Sequence, residues 1–198
     1  MLGEVRASDM PSLRRPPQQL GLTMIELMIT LTIGAILLAL AVPQMREYIA
    51  RTRVSGTARE LAADIRLARS MVQQQNQPIL IAFGSTVDFT CYVLYTQGGQ
   101  TGICDCARTS IPMCDAVPDP PIALRSVYIK RNTGITLIST SPDLRYSQPV
   151  GAPRIYSGTA QAEISSSLGG RLLVVMSGLT RATICSLSGH TAEFGDCP

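Results

Sequence analysis

The run Leu22 to Val42, LTMIELMITLTIGAILLALAV, constrains this chain more than any other stretch: twenty-one residues with a single charge, Glu26. As a helix it spans about 30 Å, the thickness of a bilayer's hydrocarbon core. A secretory signal peptide would have a shorter apolar region followed by a small-residue cleavage site. Here Pro43-Gln44-Met45-Arg46 leads instead into an amphipathic segment, so the apolar run is expected to stay in the mature protein. Arg14 and Arg15 precede it, and positive charge on that side favours a cytoplasmic N-terminus, with everything after Val42 outside. Glu26 is the odd residue. A carboxylate inside an apolar span costs about 2.5–3.5 kcal/mol on insertion scales. Either it sits shallow enough to reach the headgroups, or it awaits a cation, and none lies within the run. That cation must then come from another chain or from a new N-terminus.

Charge and cysteine content place the remainder. Hydrophobic residues make up 45% and charged residues 16%, which excludes a disordered chain. Residues 76–198 carry eight basic and eight acidic side chains, so this part has no global bias toward a polyanion. All six cysteines (Cys91, Cys104, Cys106, Cys114, Cys185 and Cys197) follow the apolar run. An even number on one side of a membrane anchor points to disulfides in an oxidising compartment, here the periplasm. That agrees with the orientation read from Arg14 and Arg15 by a separate route.

Gly21-Leu22-Thr23-Met24-Ile25-Glu26-Leu27 resembles the class III signal of type IV prepilins, usually Gly-Phe-Thr-Leu-Ile-Glu-Leu. The resemblance implies that a prepilin peptidase cuts between Gly21 and Leu22 and methylates the new Leu22 amine. It also implies that Glu26 neutralises the N-terminal amine of a neighbouring subunit during assembly, and that Pro43 is the family's helix-kinking proline. Leu22 departs from the usual Phe, and the 21-residue leader is long for the common class. Initiation at Met10 would give the short basic leader MPSLRRPPQQLG.

After Pro43, Val54, Ala58, Leu61, Ile65, Ala68 and Val72 recur at alternating spacings of four and three, one apolar stripe of an amphipathic helix. Arg53, Arg59, Glu60, Arg66 and Arg69 fall on the opposite face, where a solvated surface is expected. Asn76 and Pro78 end the helix, which would run over residues 23–75 and about 80 Å. Short β-type runs follow at 79–83, 89–95, 125–130, 135–140, 171–177 and 180–187, with a Gly/Pro/Cys-rich stretch at 97–121 and no internal repeat. The expected fold is α+β: a pilin-like long N-terminal helix, membrane-spanning in its first half and amphipathic in its second, packed on an antiparallel β-sheet head. The expected divisions are a cleaved leader (1–21), a transmembrane half-helix (22–42), an amphipathic half-helix (43–76) and a β-rich periplasmic head with disulfides (77–198). ELAADIRLARSMVQQQNQPILIAF and the late GLTRATICS make this head similar to the GspH/FimT group of pseudopilins and minor pilins.

Catalytic patterns are missing from the sequence. The one histidine, His190, has no partner in a recognisable motif, and no nucleophile elbow, phosphate-binding loop or dinucleotide fingerprint occurs. No enzymatic activity, cofactor or small-molecule substrate is expected. Cys104-Asp105-Cys106 with Cys114 lacks the two-residue spacing of paired metal ligands, so disulfides are expected there and no metal. Cys185 and Cys197 look like the terminal disulfide loop of many pilins, whereas Cys91, Cys104, Cys106 and Cys114 admit three pairings. Some FimT-like minor pilins capture DNA through a late Gly-Arg-x-Arg motif. Gly178-Leu179-Thr180-Arg181 keeps only Arg181, with Arg171 on the adjacent strand, so that resemblance implies at most weak, salt-sensitive DNA binding.

The leading expectation is therefore an H-type minor pseudopilin of a type II secretion pseudopilus. Its partners would be the other pilins or pseudopilins of the filament, the prepilin peptidase and the inner membrane. The alternative within the family is a FimT-like minor pilin that primes a type IV pilus or assists DNA uptake. From another class, a plain membrane-anchored periplasmic binding protein would show no cleavage after Gly21.

Overall fold

The computed structural model describes residues 23–75, 77–97, 102–108, 113–115, 118–141, 143–147, 152–154, 160–176, 182–187 and 193–197. Two compact units divide the chain, Met1–Ala41 and Val42–Pro198. One helix, α1 (Met24–Gln75), contributes to both.

Thr23 starts α1. Its hydroxyl accepts the Glu26 N–H at 3.3 Å, and its carbonyl accepts the Leu27 N–H at 3.2 Å. This is an N-cap of the Thr-x-x-Glu type, which satisfies donors that the first helical turn leaves free. In the first unit α1 is apolar all round and unburied, long enough to cross a membrane by length and composition. Its two internal hydroxyls are satisfied within the helix: Thr30 donates to the Leu27 carbonyl at 2.9 Å and Thr32 to that of Ile29 at 2.8 Å. Such back-bonding is what a hydrocarbon environment demands of a polar side chain. Pro43 lies inside the helix, where its missing N–H removes one intrahelical bond.

In the second unit α1 becomes one-sided. Ala50, Val54, Ala58, Leu61, Ala62, Ile65, Ala68 and Val72 are buried, so the expected stripe is the face that meets the sheets. Among the described residues, nine strands form those sheets. Five of them, β1 (Ile79–Ser85), β2 (Phe89–Thr96), β3 (Ala123–Lys130), β5 (Asp143–Ser147) and β6 (Ala152–Arg154), make an antiparallel sheet in the order β3-β2-β1-β5-β6. The others, β4 (Ile135–Ser139), β7 (Ala160–Ser166), β8 (Arg171–Met176) and β9 (Ala182–Ser186), make a second antiparallel sheet in the order β4-β7-β8-β9. The fold is α+β, a long helix with antiparallel sheets.

Both sheets feed one core. Ile79, Ile81, Tyr92 and Leu94 come from the first sheet, and Ile135, Leu137, Ala160, Ala162, Ile164, Leu172, Val174 and Met176 from the second. The period of two is plain in Ala160, Ala162 and Ile164 and in Leu172, Val174 and Met176. The buried Thr90 hydroxyl accepts the Leu137 N–H at 3.3 Å and ties β2 to β4. Three strands that the sequence reading left out are β5, β6 and β7. Strand β7 turns small alanines inward and Gln161 and Glu163 outward, a composition with weak β propensity that only the packing makes a strand.

The hydrophilic side of α1 is exposed at Arg53, Arg59, Glu60 and Arg66, as expected, and part of it is also paired with the head. Arg59 pairs with Glu193 and lies 5.7 Å from the centroid of the Phe194 ring. Glu60 accepts from the Arg125 guanidinium at 2.8 Å. Asp64, one turn further, is buried among the apolar residues. Its carboxylate accepts from the Tyr92 hydroxyl at 2.8 Å and faces Arg125 Nε at 2.8 Å. Arg125, at the start of β3, thus clamps two carboxylates one helical turn apart and joins α1 to the sheet. The Asp64 carboxylate raises the Arg125 pKa further above its ordinary value. Burial, with the hydrogen bond to Asp64, pushes the Tyr92 phenol well above its ordinary pKa of 10.0.

Two outcomes are expected. Asp64→Ala leaves the Tyr92 hydroxyl buried without its acceptor, while Arg125, 44% exposed at its side chain, can still reach water. The loss should be about 1–3 kcal/mol in denaturant unfolding. Because the folded phenol resists ionisation, the unfolded state loses its proton first. The contribution of this phenol to stability is therefore constant below about pH 10 and falls as pH rises beyond it. Tyr92→Phe should be less stable than the parent at neutral pH, by about 1 kcal/mol, and the gap should narrow above pH 10.

Candidate assembly site

The residues singled out in the sequence fall into three places. Glu26 is exposed at the first turn of α1, with its backbone N–H held by the Thr23 cap. Gly21 and Leu22 lie outside the described residues. The helix starts at Met24, two residues along the sequence from the expected new amine at Leu22, and Glu26 lies in its first turn. A carboxylate at a helix N-terminus is favourably placed against the helix dipole and beside any amine that docks there. Along the same unit, Met24, Ile25, Met28, Leu31, Ile36, Leu38 and Leu40 are all exposed. An all-round apolar helix requires either lipid or other apolar helices around it.

The six cysteines form three disulfides: Cys91–Cys106, Cys104–Cys114 and Cys185–Cys197. Of the three pairings open to the central four, burial explains this one. Six consecutive residues of β2, Thr90 to Tyr95, are buried, which needs cover on both faces of the sheet. Helix α1 covers Tyr92 and Leu94. On the other face Ala82, Cys91, Val93 and Tyr95 form a second cluster with Cys104 and Cys106. The Cys91–Cys106 bond clamps the loop onto this face, and Cys104–Cys114 closes the loop on itself. Gly84 permits the close approach, since a Cβ there would stand 2.9 Å from that of Ala107. Arg108 and Asp115 pair at 2.7 Å across the loop's base.

The last disulfide acts at the chain's end. Cys185 on β9 holds Cys197, while the Ser186 N–H bonds the Gly195 carbonyl at 2.9 Å and the Cys197 N–H bonds that of Ser186 at 3.1 Å. This stapled segment carries Glu193 and Phe194, the pair that receives Arg59 of α1. Sequence reasoning missed that contact because nothing in the spacing of Arg59 and Glu193, far apart in the chain, announces it.

The two arginines weighed for a nucleic acid differ. Arg171 on β8 pairs with Glu163 of β7, Nε to Oε1 at 2.9 Å, which offsets its charge. Arg181 lies outside the described residues, as does His190. A groove lined by Phe83, Gly84, Ser85, Leu137, Ile138 and Ser139 has no titratable side chain in its lining.

Among families, the model for the prokaryotic N-terminal methylation motif matches residues 16–42. No curated protein and no solved structure matches the chain. The matched segment contains Gly21, Leu22, Glu26 and the whole apolar run.

Replacing Cys91 and Cys106 together by Ser should release the loop from the sheet. Closing a loop of this size contributes about 3 kcal/mol in the chain-entropy model. The expected result is a loss of at least that order in urea unfolding, with new protease cleavage within 97–121.

Proposed function

We propose that this chain, a type IV prepilin-like protein, is the H-type minor subunit of a type II secretion pseudopilus, assembled after prepilin peptidase cleavage. The observation that carries the reading is the methylation motif laid over an exposed, all-apolar half-helix with Glu26 in its first turn. The motif implies cleavage by a prepilin peptidase and assembly with other pilins. The similarity of ELAADIRLARSMVQQQNQPILIAF and GLTRATICS to the GspH/FimT group supports the H-type assignment.

The mechanism is assembly, not catalysis. The apolar half-helix stores the subunit in the inner membrane with its head on the periplasmic side. Cleavage after Gly21 creates an amine at Leu22, and the Glu26 carboxylate of one subunit neutralises the amine of the next. The burial of that pair among apolar helices makes an unmatched subunit costly, since a lone carboxylate in hydrocarbon is strongly disfavoured. Docked subunits then bury their apolar half-helices against each other.

A FimT-like role in a type IV pilus is the second reading, supported by the same similarity. Any DNA contact would rest chiefly on Arg181, because Glu163 already engages Arg171. One phosphate contact gives weak binding with a shallow salt dependence.

Two measurements test this. Gly21→Val should leave an uncleaved precursor, seen by intact mass, and abolish complementation of a deletion strain. Normal processing and function would remove both filament readings and favour a plain membrane anchor. In the deletion strain, exoenzymes held in the periplasm support the secretion pseudopilus. Unchanged secretion with altered piliation would assign the subunit to a type IV pilus.

A further inference from the structure

The order of the cysteines along the chain disagrees with the order of their bonds. Cys91, Cys104, Cys106 and Cys114 occur in that sequence, yet Cys91 is bonded to Cys106 and Cys104 to Cys114. The two bonds therefore cross, first with third and second with fourth. Cys185 and Cys197, by contrast, are consecutive and bonded to each other. Chain statistics do not produce the crossed pairing. It closes separations of 15 and 10 residues. The sequential pairing, Cys91 with Cys104 and Cys106 with Cys114, closes separations each two residues shorter. Loop-closure entropy then favours the sequential pairing about 1.7-fold in the unfolded chain. Chain order acts the same way: in a head that follows the apolar run across a membrane, Cys91 and then Cys104 emerge first.

Tertiary structure selects the crossed form. The Asp105 N–H bonds the Met113 carbonyl at 3.0 Å, and the Asp115 N–H bonds the Ile103 carbonyl at 3.0 Å. Cys104 and Cys114 thus stand directly opposite each other in an antiparallel bridge between these two bonds, where side chains approach closely. Cys106 is left for the sheet: a Cβ on Gly84 would stand 3.2 Å from its sulfur, and its partner Cys91 lies on β2. Both placements depend on structure that the unfolded chain lacks, and two paired strands alone are marginally stable in water. In the folded head Cys91, Cys104 and Cys106 are buried, while Cys114 is half-buried.

We propose that the head is a substrate of a periplasmic thiol–disulfide isomerase, which converts a sequentially paired precursor into the crossed native form. The inference rests on the periplasmic placement of the head. Two turnovers of a disulfide oxidase make the precursor, each joining two thiols and reducing the oxidase's own disulfide to a dithiol. Rearrangement needs no further redox partner. The isomerase thiolate attacks the Cys114 sulfur of the Cys106–Cys114 bond, forming a mixed disulfide and releasing the Cys106 thiolate. That thiolate attacks Cys91 of the Cys91–Cys104 bond, making Cys91–Cys106 and releasing the Cys104 thiolate. Cys104 then attacks Cys114, making Cys104–Cys114 and expelling the isomerase thiolate unchanged. Two disulfides enter and two leave. Burial of Cys91, Cys104 and Cys106 then protects the product, because exchange requires access to the sulfur attacked.

The full chain is expressed in matched bacterial strains with and without the isomerase, acid-quenched and alkylated, and its disulfide peptides are mapped by mass. With the isomerase, nearly all molecules should carry Cys91–Cys106. Without it, that bond should fall about two- to threefold, the share that chain statistics allow, and Cys91–Cys104 should take its place. The consecutive pair Cys185–Cys197 should form equally in both strains, an internal control. Cys104→Ser with Cys114→Ser removes the competing partners, so the Cys91–Cys106 bond of this variant should not depend on the isomerase. Equal yields of native Cys91–Cys106 in the two strains, or a dependence that persists in the double variant, would overturn the proposal. The placement on which it rests fails differently. Six free thiols in both strains would remove the periplasmic head and the proposal with it, whereas full oxidation to the native pairs in both removes the isomerase step alone.

Discussion

One helix has to satisfy two surroundings, and the rest of the structure follows from where it changes character. Up to Ala41 every side of α1 is apolar and exposed, with Thr30 and Thr32 bonded back to their own backbone. From Ala50 onward only one stripe is apolar, and it is rich in alanine. Ala58, Ala62 and Ala68 add little bulk to that stripe, while Val54, Leu61, Ile65 and Val72 supply its larger side chains. Residues from both sheets pack with that single stripe in one core.

Close packing on alanine gives adhesion but little register, because small side chains interlock weakly. The clamp of Arg125 on Glu60 and Asp64, with Tyr92 as second donor, supplies directionality. Asp64 is buried, Arg125 half-exposed, so the pair avoids the full desolvation cost of two buried charges. The Tyr92 hydroxyl occupies the carboxylate from the core side. Sliding α1 by one turn along the sheet would strand these groups, so the network selects one docking position for the helix.

Disulfides complete what the apolar residues cannot. The first sheet has α1 on one face only, and β2 is too apolar to leave its second face to water. Among the described residues between β2 and β3 there is no helix or named strand to bury that face. Two disulfides hold the loop there, and a third staples the C-terminal segment so that Glu193 and Phe194 meet Arg59. The three disulfides are thus part of the fold's stability.

The apolar run, the amphipathic stripe from Val54 to Val72 and strands β1 to β4, β8 and β9 were legible in the sequence because each is a local periodicity or a composition limit. So were the even cysteine count and the position of Glu26, whose charge in an apolar span needs no tertiary knowledge to look costly. Strand β7 was not legible, since Ala160 and Ala162 read as strand residues only once a core closes on them. Asp64 was not, because a carboxylate on an apolar stripe can be tolerated only if Tyr92 and Arg125, far off in the chain, arrive beside it. The cysteine pairing was likewise undecided until the buried second face of β2 showed what the loop had to cover. Local sequence determined the elements that carry a clear period and which solvent each expects; long-range packing made a strand of β7 and decided partners, because those contacts join residues with no shared period.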